Sequence, residues 1–164
     1  MEWAVRQDAR IVNMSLASGI SDRTDLLSTK VNELSAGLGP LFVVTAGNSG
    51  TTEPVEAPGA ADAALAVTST IKRGTSSSVS SRGPPVGNFG LKPVIPAPGE
   101  EILAARAGIS ASTAGKHPVR RALGNVDGQH VAGAAAIVAG EHPDWTGTPD
   151  QGLAHRGGQS AQWN

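Results

Sequence analysis

No cysteine occurs in the 164-residue chain. Disulfides, thiol catalysis and cysteine-ligated metal are therefore excluded, while the compartment stays open, because many secreted proteins also lack disulfides. Aromatic residues are only 3% of the chain, so a core has to be built from closely packed Val, Leu, Ile and Ala rather than from rings. Neither sign of charge is in excess. The formal net charge of −1 implies no broad electrostatic pull toward nucleic acid or a membrane surface. No apolar run approaches the roughly 20 residues of a membrane span. No signal-peptide pattern opens the chain either; Met1 leads straight into a helical pattern. The length suits one domain or a large part of one.

What is present is an alternation of strand and helix patterns. Met1 to Asp8 reads as the end of an amphipathic helix, with Trp3 and Val5 apolar, and Arg10 to Leu16 reads as a strand. Leu27, Val31, Leu34 and Leu38 fall on one helical face, with Ser21, Asp22 or Asp25 able to cap its start. Leu41 to Ala46 is a nearly continuous apolar strand, the kind buried on both faces in parallel sheets. Ala64 to Thr70 is a further strand, giving a βαβ arrangement. Thr68 to Ser81, rich in Ser and Thr, reads as surface turns with one short strand. Lys92 to Glu101, with its prolines, reads as extended or looped, and Ile102 to Arg106 as a short strand. His130 to Glu141 is a helix of very small residues stopped by Pro143. The expected fold class is α/β: three layers, a mainly parallel sheet with helices on both faces, and only part of a domain.

The most informative stretch runs from Leu41 to Gly50, where an apolar strand enters the turn Gly47-Asn48-Ser49-Gly50. The Asn48 amide can donate hydrogen bonds, and its flanking glycines let a substrate backbone approach closely. That layout suits stabilisation of a transient oxyanion at a strand end. Further blocks are Val12-Asn13-Met14-Ser15-Leu16, Ser80-Ser81-Arg82-Gly83-Pro84, Ala97-Pro98-Gly99 and His130-Val131-Ala132-Gly133, the last leading through its helix to Glu141-His142-Pro143-Asp144-Trp145-Thr146. Together, in this order, these segments resemble the subtilisin-like serine proteases, and over residues 1–146 they resemble the C-terminal half of that family's catalytic domain.

The resemblance implies an endopeptidase in which a serine attacks the peptide carbonyl, with His as base and Asp orienting it. It makes Asn48 the side-chain donor of the oxyanion hole, an effect for which this family is itself the reference case. Ser15, Leu16 and Ala17 would line the substrate cleft and pair with the peptide backbone as an added strand, although the family often has glycine where Ala17 stands. Thr45, Ala46 and Gly47 would form a wall and the floor of the pocket for the residue before the scissile bond. The implied partner is a peptide or protein substrate, with no nucleic acid and no membrane. No metal ligand or cofactor is expected; calcium occurs in the family, but no convincing carboxylate cluster supports it here. A full-length relative would be secreted, while the localisation of this chain stays unknown. The triad's Asp and His belong to segments that would precede Met1.

One departure is severe. The family motif is Gly-Thr-Ser-Met-Ala-Thr/Ser-Pro-His-Val-Ala-Gly. His130-Val131-Ala132-Gly133 matches its end, yet counting back places Asn125 where the nucleophilic serine belongs. An amide is not a usable nucleophile for acyl transfer, and Ser112 and Thr113 lie too far upstream to replace it. Gly124-Asn125-Val126-Asp127-Gly128 can be encoded by GGG AAC GTC GAT GGC. One nucleotide on, with C following, the same bases read GGA ACG TCG ATG GCC, or Gly-Thr-Ser-Met-Ala. A reading-frame slip over about residues 107–129 would explain the mismatch and the odd basic run His117-Pro118 and Arg120-Arg121. The competing reading is a pseudoenzyme whose site has drifted into a non-catalytic peptide-binding module; a third is a translation product with no selected function.

Residues 147–164 form a degenerate tail. From Gln151 to Asn164 it is expected to be weakly helical or disordered, since each interior glycine costs a helix about 1 kcal/mol relative to alanine. Of the histidines, His130 reads as a packed helix residue and His142 as a helix-end residue. His117 and His155 match no metal-site spacing. Asn13-Met14-Ser15 satisfies the glycosylation sequon but falls in an expected buried strand.

Overall fold

The computed structural model describes residues 1–71, 74–87, 90–100, 102–105, 119–122, 127–148 and 152–155. A short helix α1 (Glu2–Arg6) leads into strand β1 (Ile11–Met14), helix α2 (Leu26–Ser35) and strand β2 (Leu41–Thr45). Strands β3 (Ala64–Thr70), β4 (Ile95–Pro98), β5 (Ile102–Ala105) and β6 (Val119–Ala122) follow. Helix α3 (Asp127–Glu141) and strands β7 (Trp145–Thr148) and β8 (Gly152–His155) complete the described elements.

The centre is a four-stranded sheet in the order β1-β2-β3-β4, parallel at each pairing. All five residues of β2 are buried, as its unbroken apolar run requires of a strand covered on both faces. Its alternation sorts the core into two layers. Phe42 and Val44 pack with Met14 and with Val31 of α2, against which Leu34, Val5 and Met1 close. Leu41 and Val43 pack on the other side with Val67 and Ala97, against Val131, Ala132 and Ala135 of α3. The architecture is therefore helix, sheet, helix, as the strand and helix patterns imply. Burying a side chain the size of Phe42 stabilises the fold by about 1.5–3 kcal/mol.

Helix α2 is capped by Asp25, whose carboxylate accepts from the Ser28 N–H at 2.9 Å and also from the Ser21 hydroxyl. Asp22 instead closes its own loop, accepting from the Thr24 N–H at 3.0 Å and the Thr24 hydroxyl at 2.6 Å. Leu38, expected on the buried face, lies beyond the helix and is 71% exposed. The chain turns there because Gly39 must sit directly over the Leu34 carbonyl, where a Cβ would come within 2.1 Å of that oxygen.

Several other expectations are corrected. The Ser/Thr-rich segment is only partly a surface element: Thr75, Ser76, Ser78 and Val79 are exposed, but Ser69, Thr70, Ser77, Ser80 and Ser81 are buried, and beyond β3 its described residues form the bridge Thr70 to Ser76 rather than a strand. Its hydroxyls make burial tolerable by serving the backbone, as when Ser80 Oγ accepts from the Ser69 N–H at 3.0 Å. The proline-rich stretch does contain a strand, β4, which Pro96 and Pro98 can join because it pairs only with β3 at the sheet edge. The tail is neither helical nor structureless at 152–155, where β8 pairs antiparallel with β7. In the same way β6 pairs antiparallel with β5 across the segment read as aberrant. His130 and Asn13 are exposed rather than buried. Asn125, Ser112, Thr113 and His117 lie outside the described residues.

Candidate active site

In a parallel α/β sheet the functional edge is the one where the strands end, because the loops there are free of the ladder. β1 and β2 finish side by side, with Met14 opposite Val44. Their following segments are Ser15-Leu16-Ala17 and Ala46-Gly47-Asn48, so the sheet register alone brings together the residues singled out in the sequence.

Helix α3 completes this edge. Its small residues let it lie close on the sheet, and it runs opposite to the strands. At its start, a Cβ on Gly128 would come within 2.9 Å of Asn13 Oδ1 and 3.6 Å of Ser15 Oγ, at the carboxyl end of β1. At its end, the Arg10 guanidinium, at the amino end of β1, donates to the carbonyl of Ala139, to that of His142 at 3.1 Å and to that of Trp145 at 2.7 Å. Arg10 thus serves the Ala139 carbonyl in the last turn of α3 and two carbonyls just beyond it, and places a cation at the negative end of the dipole. The opposite, electropositive end of α3 lies at the strand ends, where negative charge is favoured.

Ser15 is half-buried and accepts from the Asn13 side-chain amide at 3.1 Å. Leu16 is exposed and Ala17 half-buried, and no backbone hydrogen bond joins either to another described residue. Thr45, Ala46 and Gly47 are fully covered by protein. Ala46 extends the ladder, donating to Val67 O at 2.8 Å and accepting from the Glu56 N–H at 2.9 Å. The chain then leaves the sheet at Gly47, where φ is +113°, a conformation that only glycine adopts without strain. Asn48 follows on the exposed surface.

Residues with no site role in the sequence reading support this arrangement: Gly128, Ser81 and Glu56 at this edge, and Arg10 at the opposite edge, where it holds the far end of α3. Ser81 donates its N–H to Gly47 O at 3.0 Å and accepts from the Ser49 N–H at 3.2 Å. Glu56 is only 7% exposed, and its Oε1 accepts from the Asn48 N–H at 2.9 Å and the Ser49 hydroxyl at 2.8 Å. One signal could have found it: Glu56 is a lone charge inside Val55-Glu56-Ala57-Pro58-Gly59-Ala60, otherwise without a polar side chain. Among the described residues no group of three or more His, Cys, Asp or Glu is placed to hold a metal ion.

Comparison with known proteins decides the kinship. The sequence model of the Subtilase family matches residues 1–154. The chain belongs to the subtilase family. It is 30% identical over 146 residues to the thermostable alkaline protease of Halalkalibacterium halodurans, a match covering 89% of this chain and 36% of that protein. Among solved structures it resembles the patellamide maturation protease PatA, with TM-score 0.68 and 28% identity over 87% of this chain and 48% of that one. It also resembles a cold-adapted subtilisin-like serine proteinase, with TM-score 0.64 and 27% identity, covering 92% of this chain and 48% of the other. The chain thus spans between a third and a half of the length of these subtilase relatives.

Proposed function

We propose that this subtilase chain is the C-terminal half of a peptidase catalytic domain, carrying the oxyanion donor and part of the substrate cleft. Residues 1–146 supply that half and 147–164 a degenerate tail. The observation that carries the reading is the meeting of the α3 amino terminus, at Gly128, with Asn13 and Ser15 beside the Gly47-Asn48 turn. In this reading Asn48 donates to the developing oxyanion, together with N–H groups of the first turn of α3. Ser15, Leu16 and Ala17 receive an extended peptide as an added strand, which suits a segment whose backbone at Leu16 and Ala17 has no backbone hydrogen bond among the described residues. Thr45, Ala46 and Gly47 form the pocket wall and floor, and the substrate is a peptide or protein.

Exposed apolar surface supports the partial-domain reading. The outward side of α3 presents Ala134, Ala136 and an Ile137 that is 66% exposed. A helix apolar on both sides belongs in the interior of a larger fold.

The Asp and His of the triad fall in the part of the family domain that these residues do not span, and Asn125 stands at the nucleophile position. The isolated chain is therefore expected to show no triad-dependent proteolysis. A fluorogenic-peptide assay giving turnover that a serine-directed inhibitor blocks overturns that expectation. Cleft binding is tested separately by NMR with acetyl-Ala-Ala-Ala-Leu-amide. Shifts are expected at Ser15 to Ala17 and Thr45 to Asn48, and their absence removes the cleft assignment.

Asn125 also favours a second reading, a peptide-binding module without catalysis. Asp- and His-bearing segments upstream in the gene indicate a truncated protease, and their absence favours the binder or a fragment with no selected function. The nucleotide sequence decides between a frame slip and divergence: codons for residues 124–128 that cannot give Gly-Thr-Ser-Met-Ala one nucleotide on exclude the slip.

A further inference from the structure

The loop after β1 and the loop after β2 form the two lips of the cleft, and they are joined through one side chain. Glu56 Oε1 accepts from the Asn48 N–H at 2.9 Å, the Ser49 hydroxyl at 2.8 Å and the Ser81 hydroxyl at 3.5 Å. Glu56 Oε2 turns the other way and accepts from the Gly19 N–H at 3.3 Å. The backbone reinforces the link: Ile20 and Glu56 form an isolated antiparallel bridge, Ser18 N–H donates to Ala57 O at 2.9 Å, and Ala57 N–H donates to Gly19 O at 2.8 Å. Gly47 is shaped to this carboxylate as well, since a Cβ there would lie 2.4 Å from Oε1.

From this we infer that Glu56 is a positioning residue of the cleft: its carboxylate fixes the Asn48 backbone relative to the loop that follows Ser15-Leu16-Ala17. The geometry suits a carboxylate. Both oxygens must accept at once, one from each lip, and a carboxylate is acceptor-only at both. A glutamine in the same place has one acceptor and one NH₂, so whichever way its amide turns, one lip meets a donor instead of an acceptor. Hydrogen bonds to a charged group are also stronger than neutral ones, which suits a clamp holding an exposed turn. The inference rests on the proposed role of Asn48 for its functional meaning, although the bridge itself is read independently of it.

NMR on the full chain tests the bridge. In the wild type a through-hydrogen-bond coupling is expected between the Asn48 amide nitrogen and the Glu56 side-chain carboxyl carbon; its absence overturns the inference whatever any variant does. In Glu56→Gln, which keeps the shape of the side chain, solvent exchange at the Gly19 amide, the Asn48 amide or both is expected to accelerate at least tenfold. Phe42, Val43 and Val44 amides should keep their protection. Unchanged exchange at both lips, or an equal loss that includes the β2 amides, overturns it. The peptide acetyl-Ala-Ala-Ala-Leu-amide should bind the Gln variant at least fivefold more weakly than the wild type, and equal affinity denies Glu56 any positioning role. A wild type in which the peptide shifts no resonance of Ser15 to Ala17 removes the cleft reading, while the bridge still stands or falls on the exchange rates.

Discussion

Gly47 provides a measurable test of how tightly the turn is built, because the structure contains its own control. Gly47 and Gly50 have nearly the same backbone, with φ of +113° and +109°. They differ in surroundings. A Cβ on Gly47 would lie 2.4 Å from Glu56 Oε1, 2.6 Å from its Cδ and 2.7 Å from its Cγ, whereas nothing stands within 4 Å of a Cβ on Gly50. Gly50→Ala therefore carries the backbone strain alone, about 1–3 kcal/mol. Gly47→Ala carries the same strain and must also push the Glu56 carboxylate aside. That weakens its bonds from the Asn48 N–H and the Ser49 hydroxyl, and a hydrogen bond to a charged group contributes about 1.5–3 kcal/mol. The two bonds share one acceptor oxygen and do not add, so Gly47→Ala should cost about 1.5–3 kcal/mol more than Gly50→Ala. Urea unfolding of both variants, followed by tryptophan fluorescence with the slope checked for constancy, measures the difference. Equal costs would mean that Glu56 yields freely, and the account of the turn as a fitted assembly would fail.

Arg10→Met should destabilise the chain by about 3 kcal/mol, because it removes charged donors from the Ala139 carbonyl of α3 and from the His142 and Trp145 carbonyls that follow it. Arg10→Lys should recover little of this, since a single ammonium cannot reproduce the fork; a loss under 1 kcal/mol by urea unfolding refutes the capping role. Asp25→Ala should cost about 1 kcal/mol at neutral pH through loss of the α2 cap. Burial raises the Asp25 carboxyl, but hydrogen bonds from Ser21 and Ser28 outweigh it and hold the pKa below its ordinary 3.8. A depressed pKa contributes stability that is present above the unfolded value and lost as pH falls through the folded one. The gap between wild type and Asp25→Ala should therefore narrow below pH 3.8; a gap constant down to the acid transition denies the carboxylate this role.

The fold was legible where burial dictates a period. Leu41 to Thr45 reads as a strand covered on both faces, the small-residue helix is read from its composition, and the α2 cap narrows to Ser21, Asp22 or Asp25, of which the structure uses Asp25. Legibility failed where a local pattern was overridden by distant partners. The Ser/Thr-rich segment looks solvated because its hydroxyls are polar, yet Ser80 and Ser81 are buried, spent on the backbones of Ser69 and Ser49. Pro96 and Pro98 argue against a strand until its place at the sheet edge is known. The turn carrying Asn48 and the segment Ser15 to Ala17, proposed as parts of the site, are singled out in the sequence, and the sheet register brings them side by side. Arg10 could not be, because Ala139 lies 129 residues away along the chain, and Glu56 is marked only as a lone charge in an apolar segment, with partners from 7 to 37 residues away.

Those missed residues change how the exposed asparagine is understood. A surface loop ordinarily leaves its backbone free, and an oxyanion donor on such a loop would have to be ordered each time it worked. Here the turn is held from two directions. Glu56 accepts from Asn48 and Ser49 beneath it, and Ser81 exchanges bonds with Gly47 and Ser49 beside it. The main chain at Asn48 is thereby fixed while the residue itself stays exposed. Donors aimed at developing charge contribute most when their order is established before the reaction, and second-layer hydrogen bonds are what establish it. For the role proposed for Asn48, the Glu56 and Ser81 supports, more than the identity of Asn48 alone, would separate a preorganised site from an ordinary Gly-Asn turn.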